Sequence, residues 1–130
     1  MKVEHRQILE RVRPARRVLV VDDHESFRHC ARTLLESEGF EVVGEAADGQ
    51  SAVALAAELG PELVLLDIQL PDVDGFEVAA RLLERDPALP IVLVSSRDEA
   101  AYGKRIEASG AAGFVTKGDL SGAALERLLE

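Results

Sequence analysis

The sequence contains few of the residues that mark secreted, membrane or flavin-binding proteins. It has one cysteine, no tryptophan, one tyrosine and four phenylalanines. A lone Cys30 excludes an internal disulfide bond, so we expect a reducing, cytoplasmic setting. No apolar run reaches the length of a transmembrane helix, and the charged N-terminus does not resemble a signal peptide. A role at the membrane is therefore not predicted.

Positive charge is also scarce. Fifteen lysines and arginines stand against 24 acidic residues, which gives a formal net charge of −9. Nucleic acids and anionic membranes bind basic faces, so we do not expect this domain alone to bind either. The length of 130 residues and the 47% of apolar residues fit one domain with a proper core.

The first 16 residues differ from the remainder of the chain. They are rich in arginine, show little periodicity and include Pro14. We predict that residues 1–16 are a flexible N-terminal extension and that residues 17–130 form one domain. The alternative for the extension is a short helix through Ile8, Leu9 and Val12 that docks on the domain or on a partner.

Residues 17–130 alternate between apolar runs and helical patterns. Unbroken apolar runs are typical of strands covered on both faces, as in a parallel sheet, and stripes at helical spacing predict amphipathic helices. The predicted strands are Arg17–Val21, Glu41–Ala46, Leu63–Leu66, Pro90–Val94 and Ala112–Val115. The predicted helices are Glu25–Glu38, Gln50–Leu59, Asp74 to Asp86, Asp98–Ser109, which is weakened by Gly103, and Leu120 to the C-terminus. This order predicts an α/β fold in which helices cover both faces of a five-stranded parallel sheet.

Charged and polar residues stand where the predicted strands end. Asp22 and Asp23 follow the first strand, Asp67 ends the third, Ser95 the fourth, and Lys117 leaves the fifth. The carboxyl ends of parallel strands lie at one edge of a sheet, where ligands bind in such folds. We therefore expect these side chains to converge.

Three carboxylates in one crevice repel each other unless a cation joins them. Mg²⁺ prefers oxygen ligands and often takes only one or two carboxylates. A hydroxyl and an ammonium group on the far side suit the oxygens of a phosphoryl group. The constellation therefore predicts phosphoryl transfer, in which a carboxylate can itself be the nucleophile.

These motifs, in this order, resemble the receiver domain of two-component response regulators. The matching pieces are Val-Val-Asp22-Asp23, Leu-Leu-Asp67-Ile-Gln-Leu-Pro71-Asp-Val-Asp-Gly75, Val-Ser95-Ser96 and Gly-Phe114-Val-Thr-Lys117. The resemblance runs from about Arg17 to the C-terminus. It implies a flavodoxin-like fold with strand order 2-1-3-4-5. It also implies a cytoplasmic signalling switch, rather than an ordinary enzyme, that catalyses its own phosphorylation and dephosphorylation.

The resemblance also implies a role for each site residue. Asp67 would be the phosphoacceptor, and the phosphoryl group would come from a histidine kinase or a small acyl phosphate. Mg²⁺ would be held by Asp23, Asp67, the backbone carbonyl of Gln69 and, through water, Asp22. Lys117 and Ser95 would contact the phosphoryl group. Ser95 and Phe114 would switch the surface of the fourth helix, fifth strand and fifth helix.

Three residues depart from the common pattern of the family, and one of them, Ser95, replaces the commoner threonine at a position where only the hydroxyl is needed. Gly118 replaces the proline that often follows the lysine, so we expect a trans Lys117–Gly118 bond, because cis costs about 3 kcal/mol without proline. This variation resembles receivers that precede a helix-turn-helix output domain, so this chain is either a stand-alone receiver or one separated from its output. A homodimer formed on phosphorylation is also compatible with the resemblance. Phe114, often tyrosine in the family, lacks the hydroxyl of that switch residue.

Several residues have plainer interpretations. Asp22 and Asp23 fit a helix N-cap pair, Asp72 and Asp74 turn and cap positions, and Cys30 the packed face of its helix. His24 is either a modulator of the site or a solvated side chain. Two other classes of protein stay open: a pseudo-receiver that signals without phosphorylation, and a nucleotide- or flavin-binding enzyme of the same fold. The second is disfavoured because no glycine-rich phosphate loop follows the first strand.

Overall fold

The computed structural model describes residues 15–130, which form a five-stranded, all-parallel sheet with helices on both faces. The strands are β1 Arg16–Val21, β2 Phe40–Ala46, β3 Leu63–Asp67, β4 Ile91–Ser95 and β5 Gly113–Thr116. Their order in the sheet is β2-β1-β3-β4-β5. The predicted fold and strand order are confirmed.

The helices lie between the strands, as the alternation predicts. They are α1 Glu25–Ser37, α2 Gly49–Leu59, α3 Gly75–Arg85, α4 Arg105–Ala108 and α5 Gly122–Leu128, with 3₁₀ turns at Glu99–Ala101 and Lys117–Asp119. Within the described part of the chain, none of these helices has the length and apolarity needed to span a membrane. β1 begins at Arg16, a residue that we had predicted to belong to the extension. The remainder of that extension, including its alternative helix, lies outside the described residues.

The sheet separates two apolar cores. Side chains of alternating strand residues enter opposite cores, because successive residues of a strand point to opposite faces. Leu19, Leu66 and Leu93 belong to the core under α2 and α3, and Val20, Leu65 and Val92 to the core under α1 and α5. Every residue of β3 and β4 is buried, which explains why their sequences are continuous apolar runs rather than alternating ones.

The predicted helix Asp98–Ser109 is wrong as a continuous element. The structure has a 3₁₀ turn at Glu99–Ala101, then Gly103 at a φ of 55°, then the four-residue helix α4. A positive φ is natural for glycine and ends a helical run, since residues with a Cβ rarely adopt it. The glycine therefore breaks the helix instead of only weakening it.

Two local interpretations also need correction. Cys30 is exposed on α1, not packed against the core. Asp22 and Asp23 are not an N-cap pair: the N-cap position of α1 is His24, and no side chain caps that helix. The predicted trans geometry at Lys117–Gly118 is present, since residues 15–130 contain no cis peptide bond.

Candidate phosphoryl and metal site

The site begins with the placement of Asp67 at the carboxyl end of the central strand. β3 lies between β1 and β4, and Asp67 pairs with Val94. The start of α3 packs directly against this strand end, where the Gly75 N–H donates to the Ile68 carbonyl over 2.7 Å. A Cβ on Gly75 would collide with the Asp67 carbonyl oxygen and approach Ile68 Cα to 2.6 Å. Glycine is therefore needed for this close approach.

Two neighbouring acidic residues come from the end of β1. Asp22 is fully buried, Asp67 is 3% exposed, and the side chain of Asp23 is 35% exposed. Ligand atoms of these three residues and of His24 all lie within 4.8 Å of one another. The predicted convergence of the first and third strand ends is therefore confirmed.

Lys117 reaches this cluster from the end of β5. Its Nζ lies 2.6 Å from Asp22 Oδ2 and 3.6 Å from Asp67 Oδ2. It also lies 4.6 Å from the centre of the Phe27 ring, which stabilises the cation on its other side. The ammonium group is thus shared between two carboxylates and is closer to Asp22, a pairing that the sequence did not predict.

Burial and charge act in opposite directions on Asp67. The pKa of Asp67 is raised to about 6, chiefly because burial desolvates the carboxylate and in smaller part because of the nearby Asp22 charge. The Gln69 N–H, which donates to Asp67 Oδ1 over 3.1 Å, and the Lys117 charge both lower the pKa. At neutral pH the carboxyl group remains mostly ionised, and it can act as a nucleophile.

The donor set fits a hard divalent cation. Asp22 and Asp67 are buried carboxylates, and their ligand atoms lie within 4.8 Å of those of Asp23 and His24. Lys117, whose Nζ is 2.6 Å from Asp22 Oδ2, supplies one positive charge against three carboxylates, so the cluster keeps a surplus of negative charge that a cation would neutralise. Oxygen ligands in that arrangement suit Mg²⁺.

His24 is more than a solvated side chain. It is largely exposed, yet its Nδ1 lies 3.1 Å from Asp23 Oδ1 and 3.2 Å from Asp22 Oδ1. Its backbone N–H also donates to Asp22 Oδ1 over 2.8 Å. His24 therefore restrains the acidic pair from the solvent side.

The remaining predicted site residues lie on or just after the strands next to this cluster, and the side chains of Ser95 and Phe114 are not part of the cluster itself. Ser95 is buried at the end of β4, Phe114 lies in the neighbouring β5, and Gln69 is exposed just after β3. Ser95 Oγ accepts a hydrogen bond from the Arg97 N–H and is 2.6 Å from Tyr102 Oη. Tyr102 was not among the predicted site residues. It lies in a segment predicted as plain helix, and no local pattern signals its contact.

Asp72 and Asp74 are capping residues, as predicted, but one of them caps a distant helix. Asp74 accepts from the Phe76 N–H at the start of α3. Asp72 instead accepts from the Gly49 and Gln50 N–H groups at the start of α2, over 2.8 and 3.0 Å. The hydrogen bond from the Gly49 N–H is the main reason that the pKa of Asp72 is lowered. Neither residue belongs to the acidic cluster.

The fold and the site together define a class: a doubly wound parallel sheet with an acidic crevice at the carboxyl ends of its central strands. The family model described as the response regulator receiver domain matches residues 18–128. This chain belongs to that family and is a receiver domain of the kind found in two-component regulators. The interpretation as a nucleotide- or flavin-binding enzyme is therefore wrong, and nothing supports a pseudo-receiver.

Similar proteins agree with this assignment. The chain is 43% identical over 101 residues to BvgA of Bordetella pertussis, a putative positive transcription regulator of virulence factors. The match covers 78% of this chain and 48% of BvgA. The signal receiver domain of the putative response regulator NarL from Mycobacterium tuberculosis has a TM-score of 0.77 and 36% identity, covering 88% of this chain and 97% of that one.

A third similar structure is a complex of CheX, CheY, BeF₃ and Mg²⁺ from Borrelia burgdorferi. It has a TM-score of 0.78 and 28% identity, and covers 88% of this chain and 86% of that one. The chain spans about half the length of the curated relatives that it matches, 48% for BvgA.

Proposed function

We propose that Asp67 accepts a phosphoryl group and that this chain is the phosphorylation switch of a two-component regulator. The observation that carries the proposal is the convergence of buried Asp67, buried Asp22 and Lys117 at one strand edge, with ligand atoms of the acidic cluster within 4.8 Å of one another. An ionised carboxylate, an ammonium group and free oxygen ligands are the groups that phosphoryl transfer needs.

Asp67, Asp23 and the backbone carbonyl of Gln69 would hold Mg²⁺ directly, and Asp22 would hold it through water. When bound, the cation neutralises phosphoryl oxygens and the surplus negative charge of the cluster. Asp22 and Lys117 already form an ion pair at 2.6 Å, so a share of the positive charge stands beside Asp67 before any ligand arrives. Lys117 is therefore positioned to move from Asp22 to a phosphoryl oxygen.

The reaction would use Asp67 as the nucleophile. One of its carboxylate oxygens forms a bond to phosphorus, while the bond from phosphorus to the donor nitrogen or oxygen breaks and its electron pair leaves with the donor. The product is an acyl phosphate. Hydrolysis reverses the modification when water forms a bond to phosphorus and the bond to the Asp67 oxygen breaks. The domain would thus promote both its own phosphorylation and its own dephosphorylation.

The donor would be a histidine kinase, and the modified domain would act on an output domain or partner protein, or form a homodimer. BvgA is described as a putative positive transcription regulator, and the match covers only 48% of its length, which supports an output beyond the receiver. A groove of about 770 Å³ lies along β5 and α5 and includes Phe114 in its lining. A conformational change at Ser95 and Phe114 would alter the shape of this surface.

The test is incubation with Mg²⁺ and acetyl phosphate, followed by intact-mass measurement. We expect a gain of one phosphoryl group in the parent protein, none in Asp67→Asn, and an unchanged gain in Asp72→Asn, an exposed aspartate on the loop that follows β3. A gain that persists in Asp67→Asn would refute the assignment.

The switch is tested separately by amide hydrogen exchange with and without beryllofluoride. Protection is expected to change across residues 98–117, which carry Ser95's contact Tyr102 and the strand of Phe114. Equal exchange in both states would contradict the switch while leaving the phosphorylation chemistry intact.

A further inference from the structure

Tyr102 occupies a position that connects the site to the segment after β4. Its hydroxyl lies 2.6 Å from Ser95 Oγ, and its ring contacts Phe76 and Phe114, with both ring centroids 6.0 Å away. Phe76 belongs to α3 and Phe114 to β5. One side chain thus joins three elements around the site.

Tyr102 engages the Ser95 hydroxyl, which is the group that the phosphoryl site would need. Ser95 Oγ already accepts from the Arg97 N–H over 3.1 Å. A serine hydroxyl has one proton to donate. Either hydroxyl can donate in the contact with Tyr102. When Ser95 donates, its proton is not available to a phosphoryl oxygen, and when Tyr102 donates, Ser95 Oγ is still held beside Tyr102.

The strand registers explain why Ser95 faces Tyr102 in this state. Ser95 shares its strand face with Leu93, in the core under α2 and α3. Asp67 shares its face with Leu65, in the opposite core. Because strand side chains alternate, the two residues begin on opposite faces of adjacent strands. Ser95 must therefore turn to reach a group on Asp67.

The segment that carries Tyr102 is held to the domain by few buried contacts. We call residues 98–108 the Tyr102 segment. It contains the 3₁₀ turn, the left-handed Gly103 and the short helix α4, and Ile106 is its only buried residue. Arg105 ties it to α3 through a 2.7 Å ion pair with Asp74 and a 4.3 Å contact with the Phe76 ring. Exposed contacts of this kind are weak.

We propose that Tyr102 is a positioning residue that holds Ser95 away from the phosphoryl site in the unmodified receiver. Tyr102 thereby provides, from a different element, the switch hydroxyl that Phe114 lacks. The proposal rests on the function proposed above, because Ser95 matters only if Asp67 carries a phosphoryl group. Filling the site with a phosphoryl analogue breaks the Tyr102–Ser95 hydrogen bond and frees the Tyr102 segment.

The first test measures beryllofluoride affinity in the presence of saturating Mg²⁺ by ¹⁹F NMR. Tyr102→Phe removes only the hydroxyl, and we expect it to bind beryllofluoride about three- to tenfold more tightly, the range for loss of one hydrogen bond in the competing state. Ser109→Ala is the matched control: it removes a hydroxyl that bonds within its own turn, to the Ile106 carbonyl. Its affinity is expected to equal that of the parent protein.

The second test asks whether the effect passes through Ser95. In a Ser95→Ala background, Tyr102→Phe is expected to leave beryllofluoride affinity unchanged, as a double-mutant cycle of coupled residues requires. A purely structural role for the Tyr102 ring would give the same change in both backgrounds, and that result would overturn the proposal.

A third measurement needs no variant. Tyr102 is the only tyrosine and the chain has no tryptophan, so ultraviolet fluorescence at tyrosine wavelengths reports on Tyr102 alone. Beryllofluoride is expected to change this signal, and an unchanged signal at saturation would count against release of the hydroxyl. Failure of the parent protein to bind beryllofluoride would overturn the proposed function itself. Binding without any difference between parent and Tyr102→Phe would overturn only the role of Tyr102.

Discussion

Helix α3 and the Tyr102 segment stand in equivalent places but are constructed differently. Each follows a central strand that ends at the site. α3 is a continuous 11-residue helix, capped by Asp74, with Gly75, Val78, Ala79 and Leu82 buried. The Tyr102 segment has no side-chain cap on either of its two short helices, and Gly103 interrupts it. Local stability follows burial and hydrogen bonding. We therefore expect α3, beside Asp67, to be rigid and the Tyr102 segment, beside Ser95, to be flexible.

The largest effect is expected from a substitution at Gly75, where α3 packs against the end of β3. Gly75→Ala puts a methyl group against the backbone of Asp67 and Ile68, which cannot move aside without displacing the site. We expect a loss of about 3 kcal/mol in the free energy of unfolding, measured by urea denaturation, together with weaker Mg²⁺ binding. Gly118→Ala is the control, because its Cβ meets nothing within 4 Å and its φ is not positive. Equal stability of the two variants would mean that α3 does not pack tightly against β3.

The second prediction concerns the buried carboxyl group of Asp67 and its effect on the free energy of unfolding. Folding raises the pKa of Asp67 from 3.8 to about 6, so the native state binds this proton more tightly than the unfolded chain. The associated stability is complete below pH 3.8 and is lost as the pH rises through 6. Asp67→Asn removes the cost of ionising this buried carboxyl group, and we expect about 2 to 3 kcal/mol of added stability at pH 8 without Mg²⁺.

The pH and a matched aspartate serve as controls for that prediction. At pH 4 the advantage of Asp67→Asn should largely disappear, and at pH 8 added Mg²⁺ should reduce it. Asp72→Asn should not be stabilising at pH 8, because hydrogen bonds from α2, above all that of the Gly49 N–H, lower the pKa of Asp72. Thermal unfolding across pH 4–8 measures all three proteins. An Asp67→Asn effect independent of pH would contradict the burial argument.

The smallest effect is expected from substitutions at Gly103, in the Tyr102 segment. Gly103 has a φ of 55° and open space around its Cβ direction, so substitution is opposed by backbone strain alone. We expect Gly103→Ala to lower the free energy of unfolding by about 1 kcal/mol, and Gly103→Asn by less, since asparagine tolerates this conformation better. Chemical denaturation separates the two, and a loss as large as that of Gly75→Ala would show that the segment is not pliable.

The convergence of the site residues could be predicted because it depends on two patterns visible in the sequence, the apolar runs of the strands and the helical spacing between them. Continuous apolar runs identify parallel strands, and parallel strands bring Asp22, Asp67 and Lys117 to one edge. The exact partners could not be predicted. That Lys117 is nearer to Asp22 than to Asp67 depends on side-chain packing around Phe27. The roles of the site residues in metal binding, phosphoryl transfer and switching stay predictions, that of Asp67 as phosphoacceptor included.

The predictions that were wrong or incomplete concern segments whose local sequence pattern is compatible with more than one structure. Asp98–Ser109 has the composition of a weak helix, but a glycine in such a run permits either a continuous helix or a left-handed break. Cys30 falls near the apolar stripe of α1, yet the stripe that the sheet buries contains Ala31 and Leu35, and the cysteine is exposed beside it. Tyr102 makes its contacts with residues from three other elements, which no pattern within its own segment encodes.

The five-stranded alternation and the polar residues at the strand ends follow from the sequence, because hydrophobic periodicity and turn residues are local properties. Which charges pair, how deeply Asp67 is buried, and the contact between the Tyr102 and Ser95 hydroxyls are features of the folded chain. Those outcomes depend on distances between elements far apart in the chain, and such distances are set only when the two cores are packed.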